Sequence, residues 1–191
     1  MMVKRGKASR FTFILFVLFL LFVLMQLIAP LVFPSGSYPD LSGNVAIQDN
    51  EQEIATMPFP LSLVYSCGDR LCHQKADRSL FINGNQMAFC SRCTAIWIGL
   101  VIGLGILLFY KVSLDERFFA LIILSFIPIG VDGVGQLMNL WESTMLSRLL
   151  TGLFVGITTG MAMGVIIDEL KETPLFNEER LQKYKKLVFR R

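Results

Sequence analysis

Four long apolar segments constrain this chain more than any other feature of its sequence. They cover residues 11–33, 94–110, 118–141 and 149–167. About 20 helical residues, each rising about 1.5 Å, cross the roughly 30 Å of hydrocarbon in a bilayer. A chain in lipid must satisfy its backbone hydrogen bonds internally, which favours helices. Because 53% of the residues are hydrophobic and only 17% are charged, the sequence predicts an all-α integral membrane protein with four transmembrane helices.

Charged residues beside these segments predict the orientation. The first ten residues carry Lys4, Arg5, Lys7 and Arg10 without an acid, and the C-terminal tail ends in a basic run. Basic flanks stay in the cytoplasm, so both termini are predicted to be cytoplasmic in a multi-pass protein of the cell membrane. The first segment is too long for a cleaved signal peptide and is expected to be a signal anchor. The net charge of +3 is too small to indicate a nucleic-acid partner.

The chain is expected to form one membrane domain with four parts. These are a cytoplasmic N-terminus with the anchor helix (1–33), an extracytoplasmic loop with a Cys/His site (34–93), the three-helix remainder of the bundle (94–167) and a cytoplasmic basic tail (168–191). The first part of the loop is rich in Ser, Gly, Pro and acids, so we expect it to be exposed and to lack a core of its own. Such a segment would need a staple to hold its shape.

The loop contains all four cysteines and the only histidine of the chain. Cys90 and Cys93 form a C-x-x-C motif, and a turn at Asn83-Gly84 would bring Cys72 and His73 back to it. Three Cys and one His are a usual tetrahedral zinc set. Cys67 is a fifth donor that could displace the histidine to the outer shell. The pattern therefore predicts a zinc site, either structural or catalytic.

Three other interpretations of the cysteines remain open. In a thiol-disulfide oxidoreductase, Arg92 would lower the pKa of a neighbouring thiol, and a membrane quinone would oxidise the C-x-x-C, which then passes its disulfide to Cys67 and Cys72. That arrangement is similar to the bacterial disulfide-bond oxidase of the inner membrane, although there the pairs occupy different outer loops. Cys67 and Cys72-His73 also match a longer-spaced haem attachment motif. Ordinary disulfides closing the loop are the simplest alternative.

The third apolar segment contains polar residues that a lipid-facing helix would avoid. Pro128 and the glycines after it are expected to kink or open the helix. Asp132 and Gln136 are four residues apart and therefore share a face. An ionisable residue at this depth indicates a functional site unless it is paired, and Arg148 is the expected partner across a short loop. A plain ion pair joining two helices is the alternative.

A row of glycines marks the fourth apolar segment. Gly152, Gly156, Gly160 and Gly164 lie on one helix face, which allows close backbone approach to a neighbouring helix. The second segment carries a matching pair, Gly99 and Gly103. We expect the stripe to pack within the chain, with a homo-oligomeric contact or a ligand groove as alternatives.

Between residues 72 and 156 the chain resembles a family of small multi-pass membrane proteins of archaea and bacteria, catalogued as domain of unknown function number 2085. The shared motif consists of Cys72-His73-Gln74, Arg78-Ser79, Gly84, Cys90, Arg92-Cys93-Thr94, Asp132-Gly133, Gln136, Glu142, Arg148 and Gly152. The resemblance implies the membrane class and a common polar set, but no activity, so whether the chain is an enzyme stays open.

The resemblance also implies that the polar residues belong to one centre. Asp132, Gln136 and Arg148 would lie beneath the cysteines and line a cleft between the helices. Arg78 and Arg92 would face that cleft and bind an anionic headgroup or a small-molecule substrate. For Arg78, a plain solvated charge is the favoured alternative. The expected partners are therefore the lipid bilayer and such an anion.

Overall fold

The computed structural model describes residues 3–5 and 9–172. Predictions for the C-terminal tail beyond residue 172, and for Lys7, lie outside these residues. The elements in chain order are β1 (Val3–Arg5), α1 (Arg10–Val32), α2 (Glu51–Ala55), α3 (Leu61–Leu71), a 3-10 turn (Ala76–Arg78), β2 (Ser79–Ile82), β3 (Asn85–Cys90), α4 (Ser91–Phe109), β4 (Tyr110–Val112), α5 (Glu116–Leu137) and α6 (Met145–Glu172).

The four long helices α1, α4, α5 and α6 are each long and apolar enough to cross a membrane. The mostly helical architecture with four spanning helices is therefore confirmed. Polar caps begin two of them: the Ser9 side chain accepts a hydrogen bond from the Thr12 amide before α1, and the Asp115 side chain accepts one from the Phe118 amide before α5. Each cap satisfies one of the amides that a helix start leaves without an internal partner.

The third membrane helix is shorter than its apolar segment predicts. Helix α5 ends at Leu137, because Asn139 has a left-handed φ of 56° and Leu140 donates its amide to the Gly135 carbonyl at 2.9 Å. The chain then turns back, and the ring of Trp141 packs on Gly135. Pro128 lies inside α5, which stays helical on both sides of it, so the helix does not open at this level. A kink at Pro128 stays a prediction.

Helices α4 and α6 pack in direct backbone contact. A Cβ added to Gly99 would lie 2.6 Å from the Leu153 carbonyl oxygen and 2.7 Å from the Cα of Gly156. Gly103 meets the next turns of α6 in the same way, with the Met161 amide nitrogen 2.8 Å from an added Cβ. The glycine stripe therefore packs within the chain, against the second membrane helix as predicted.

Residues 34–90, which we call the cap, form a compact structure over one end of the bundle. We expected its first part, residues 34–60, to be exposed and to lack a core of its own. Most of those residues are exposed, but three of them, Leu41, Ile54 and Met57, are buried in a core shared with α1 and the rest of the cap. Side chains of α2, α3 and β3 join the end of α1 in a single apolar cluster. Its buried members are Ala29, Phe33, Leu41, Ile54, Met57, Val64, Tyr65, Cys72, Ala88 and Phe89. Apolar burial against α1 supplies much of what a staple was expected to provide.

Buried amide side chains connect the cap to the membrane helix α1. Asn85 donates to the carbonyls of Pro30 and Pro34, both at 3.0 Å, and accepts a bond from the Tyr38 amide. Gln86 accepts a bond from the Leu41 amide at 2.9 Å. Because buried polar groups are costly when unpaired, these bonds fix the position of the cap on the bundle.

The Asn83-Gly84 turn was predicted correctly. Both residues have positive φ, 54° and 71°, as a two-residue hairpin between β2 and β3 requires. The hairpin pairs Ser79 with Cys90. Strand β3 then continues directly into the membrane helix α4, and the junction between them lies at the cysteine site.

The start of α1 and the end of α6 lie side by side at one end of the bundle. Thr12 near the start of α1 donates to the Asp168 carboxylate near the end of α6 at 2.8 Å. Strand β1 pairs with β4, which follows α4. These contacts lie at the end of the bundle opposite the cap.

An ion pair joins α4 to α5 at the cap end. The Arg92 guanidinium contacts the Asp132 carboxylate, and only 21% and 11% of the two side chains are exposed. Arg148 was the expected partner of Asp132, and this was wrong. Asp132 faces α4. Arg92 lies in the first turn of α4, and its long side chain reaches the Asp132 carboxylate.

We predict that Gly99→Ala destabilises the bundle by about 1–3 kcal/mol, because the new methyl group would overlap backbone atoms of α6 that cannot move independently. Thermal unfolding in a neutral detergent measures the effect. Gly130→Ala is the control, since nothing lies within 4 Å of an added Cβ there. Equal melting temperatures for the two variants would contradict the packing account.

We predict that Asp132→Ala lowers stability by on the order of 3 kcal/mol, because it leaves the largely buried Arg92 without its counter-charge. Asp40→Ala is the matched control, as Asp40 is exposed and bonds the nearby Ser42 in its own loop. The same unfolding measurement applies. If both variants unfold together with the parent protein, the ion pair contributes nothing to the fold.

Candidate functional site

Three thiols meet at one point between the cap and the bundle. The sulfur atoms of Cys72, Cys90 and Cys93 all lie within 4.8 Å of one another, and all three cysteines are free. Tetrahedral zinc with Zn–S bonds of about 2.3 Å places its sulfur ligands roughly 3.8 Å apart. The three thiols therefore surround a space that one metal ion fills with only a small contraction.

Each thiol is positioned by the end of a regular element. Cys72 ends α3 in an extended conformation and donates its amide to the Gly68 carbonyl at 2.9 Å. Cys90 is the last residue of β3 and the N-cap of α4. Cys93 lies in the first turn of α4. The elements α3, β3 and α4 thus converge on the cluster.

Two residues that the sequence analysis did not assign a role bring α3 onto β3. A Cβ on Gly68 would overlap the Ala88 carbonyl, so only glycine allows this approach. Gln74 adopts a positive φ of 43° and donates its buried side-chain amide to the Ala88 carbonyl at 2.7 Å. Gln74 is part of the family motif, which was the available signal; nothing in the sequence singles out Gly68.

Backbone amides and neighbouring thiols favour a thiolate in this cluster. The amides of Gln74 and Cys90 point at the Cys72 sulfur at 3.5 and 3.4 Å. Hydrogen bonds from the thiols of Cys72 and then Cys93 lower the pKa of Cys90. The pKa of Cys72 is raised, first because of its hydrogen bond with Cys90. A negative charge on Cys90 also lies at the N-terminus of α4, where the helix dipole stabilises it.

The other two predicted ligands lie outside the thiol group. Cys67 is within α3 and packs, partly buried, against the apolar cluster of the cap. His73 is exposed but lines the cavity beside the thiols. The structure thus brings together three of the five proposed metal ligands, with the imidazole at the rim.

A cavity of about 190 Å³ opens directly beside the thiols. Its walls are the three cysteines, the cationic residues Lys75, Arg78, Arg92 and Arg148, and also Leu71, His73 and Gln136. Gln136 lies in α5 and Arg148 in α6, so both helices meet the cysteine-bearing cap at this cavity. The predicted single polar centre requires this arrangement. Asp132 forms an ion pair with Arg92 but does not itself line the cavity.

Several polar atoms around the cavity are buried without a protein partner in the described chain. They include the Gln136 amide nitrogen and the Arg92 Nε. The second guanidinium nitrogen of Arg92 contacts Asp132 and, at 3.4 Å, the Ser143 hydroxyl. Such groups are costly when unpaired. The site can therefore accept a ligand that brings oxygen atoms or negative charge.

Residues 72–162, which include the whole site, match a family model described as "Predicted membrane protein (DUF2085)". The chain is 38% identical over 100 residues to "Uncharacterized protein MJ1492" of Methanocaldococcus jannaschii, a match that covers 50% of this chain and 62% of the relative. It is also 34% identical over 87 residues to an "Uncharacterized protein" of Methanothermobacter thermautotrophicus, covering 46% of this chain and 78% of that relative.

The chain thus spans less than two thirds of the length of the first of these relatives. No solved structure matches the chain. The matched region contains the three clustered cysteines, the ion pair and Arg148. Eight of the motif residues noted in the sequence line the cavity: Cys72, His73, Arg78, Cys90, Arg92, Cys93, Gln136 and Arg148. Together, these matches show that the chain belongs to the predicted membrane protein family DUF2085.

Proposed function

We propose that this protein is a multi-pass membrane protein that holds one zinc ion on its extracytoplasmic side through Cys72, Cys90 and Cys93. The convergence of three thiols is the observation that carries the proposal. Thiolates prefer zinc among the common divalent ions, and a three-ligand site leaves a fourth position for water, substrate or another side chain. His73 at the cavity rim is the nearest predicted donor for a closed site.

The fourth position would determine what the centre does. If His73 closes the site, zinc acts as a structural staple between α3, the hairpin and α4. If the position stays open to the cavity, bound zinc supplies a Lewis acid and a water of lowered pKa. Arg92, Arg148 and Gln136 would then orient a substrate, with Asp132 acting as a positioning residue for Arg92. The open cavity beside the thiols favours the second arrangement.

A disulfide explains the arrangement less well. A disulfide joins two sulfurs at about 2.05 Å and leaves a third without a role. Two separate disulfides would need Cys67 beside one of the other three, and Cys67 lies outside the group. A haem attached through Cys67 and Cys72 would separate Cys72 from the C-x-x-C with which it converges.

A thiol-disulfide oxidoreductase is the second candidate, and the same convergence supports it. Oxidation of Cys90 and Cys93 to a disulfide releases two electrons and two protons, which a quinone would take up as quinol. Exchange with a third thiol needs that sulfur within reach, and Cys72 is so placed. The lowered pKa of Cys90 favours the reactive thiolate.

We predict about one zinc per chain in full-length protein purified in neutral detergent without reductant, and three thiols, those of Cys72, Cys90 and Cys93, that react with a thiol reagent only after chelation. Elemental analysis and a thiol count measure both. Cys90→Ser should lose most of the metal, because two remaining thiolates bind zinc far more weakly. Cys67→Ser is the matched control and should retain it.

Other outcomes of this measurement distinguish the candidates. Protein without metal, with a Cys90–Cys93 disulfide that a quinone re-forms after reduction while being converted to quinol, would support the oxidoreductase. Loss of zinc in Cys67→Ser, but not in Cys90→Ser, would contradict the ligand set proposed here.

We further propose that the cap is extracytoplasmic and both chain termini are cytoplasmic. Basic residues flank the end of the bundle opposite the cap, and acids are common in the cap, in agreement with the positive-inside rule. The pairing of β1 with β4 places the described N-terminal residues at that basic end.

A membrane-impermeant maleimide tests this orientation in intact cells. With cysteine introduced as Ser37→Cys in the cap, we predict labelling of whole cells, because residue 37 is exposed. Leu114→Cys, at the opposite end and 40% exposed, should label only after permeabilisation. The parent chain sets the background from the native thiols, and the reverse pattern would overturn the orientation.

A further inference from the structure

Arg148 is a buried charge without a carboxylate counter-ion in the part of the chain that the structure describes. The residue is 6% exposed and lines the cavity beside the thiols. Among residues 9–172, its guanidinium forms no hydrogen bond with the protein and no ion pair with a carboxylate. An uncompensated buried charge is strongly unfavourable, so a ligand in the cavity is the natural source of the missing negative charge.

Neighbouring positive charges increase the need for a negatively charged ligand at Arg148. Arg78 and Arg92 lie with Arg148 in the wall of the cavity, so its charged neighbours there include two like charges. The Asp77 carboxylate contacts Arg78 at 3.4 Å and is 69% exposed. Asp132 already serves Arg92. These two carboxylates are therefore engaged elsewhere.

The thiols do not remove the excess positive charge. Zinc held by three thiolates carries one net negative charge, and a metal-free cluster with a single thiolate carries the same. Lys75, Arg78, Arg92 and Arg148 contribute four positive charges around the cavity, against the carboxylates of Asp77 and Asp132. One positive charge remains uncompensated in either state of the cluster.

We propose that this cavity binds a phosphate group, with Arg148 as its principal ligand and with Arg78 and Gln136 as further donors. Guanidinium groups present paired donors that match phosphate oxygens. The buried amide nitrogen of Gln136 has no partner in the described protein and lies in the same wall. The site does not depend on zinc, because the excess charge is present without it.

The position of the cavity indicates where the phosphate comes from. It lies at the start of α4, the end of α5 and the start of α6, where spanning helices leave the hydrocarbon. Lipid headgroups and small phosphate esters both reach this level. The shared chemistry is a phosphate oxyanion, and the experiment below separates the two sources.

The test uses the full-length protein in neutral detergent and in vesicles. Calorimetric titration with inorganic phosphate measures the free anion, and native mass spectrometry after extraction from phosphatidylcholine vesicles, with or without phosphatidylglycerol, measures bound anionic lipid. Arg148→Gln should weaken binding at least about 10-fold, because hydrogen bonds to charged groups are strong. Arg78→Gln should weaken it less, since Arg78 is partly exposed. Arg70→Gln is the control: Arg70 is exposed and bonds Gln48 in the cap.

Zinc content and melting temperature are recorded for every variant. Loss of phosphate or of phosphatidylglycerol in Arg148→Gln, with zinc and folding unchanged, supports the proposal and identifies the source. If Arg148→Gln does not fold, the partly exposed Arg78→Gln decides by the same readouts. Binding of neither probe by the parent protein would overturn the proposal, as would unchanged binding in the variants. Loss of zinc with phosphate binding retained would also overturn it, since Arg148 would then be a counter-ion of the thiolates. Absence of zinc from the parent protein, by contrast, would contradict only the metal centre.

Discussion

Backbone contact between α4 and α6 is the interaction on which the rest of the structure depends. Lipid provides little hydrophobic drive between helices, so association relies on close packing over a matched surface. Gly99 and Gly103 meet α6 where its own glycines remove the side chains, and the register between the helices is fixed over several turns. Cys93 lies at the start of α4 and Arg148 at the start of α6. A slip of one turn, about 5.4 Å, would carry the arginine out of the cavity beside the thiols.

The cap completes the site by a different kind of interaction. Its core is apolar, but its alignment is set by buried amides: Asn85 bonds the end of α1, and Gln74 bonds the strand that carries Cys90. Gly68 lets α3 lie against that strand. A buried amide without its partner costs about 1–3 kcal/mol, so a displaced cap would lose several such bonds together. Cys72 therefore reaches the C-x-x-C in a cap that polar contacts hold in one position.

The sequence correctly predicted those features that depend on a single local rule. Apolar length identified the four helices within a few residues, and the Asn-Gly pair identified the hairpin. The core of the cap was missed because Leu41, Ile54 and Met57 are isolated among polar residues and show no period. Asp132 was assigned to Arg148 because a short loop joins their helices, whereas the actual partner lies on α4, and pairing across a bundle is not visible in local sequence.

The predicted metal ligands show the same limit of local sequence, now for single side chains. Cys72 and His73 are adjacent and were expected to bind together. Cys72 has an extended backbone, φ −141° and ψ 146°, and neighbouring side chains on extended backbone point in opposite directions. One of the two therefore turns to the interior, where Cys72 is 4% exposed, and the other to the rim. Cys67, five residues before Cys72 in a helix of 3.6 residues per turn, faces elsewhere.

Electrostatics explain why such a centre is placed at the end of a membrane bundle. Apolar helices on one side and the cap on the other lower the local dielectric, so charges interact more strongly there than in water. The Arg92–Asp132 ion pair fixes one guanidinium, while Arg148 keeps its charge directed at the cavity. A cluster of thiolates, with or without metal, is stabilised by these cations, and a phosphate oxygen approaching from the headgroup layer meets the same field. The glycine contacts, the cap and the ion pair thus act together to hold sulfur and guanidinium groups in the walls of one small cavity.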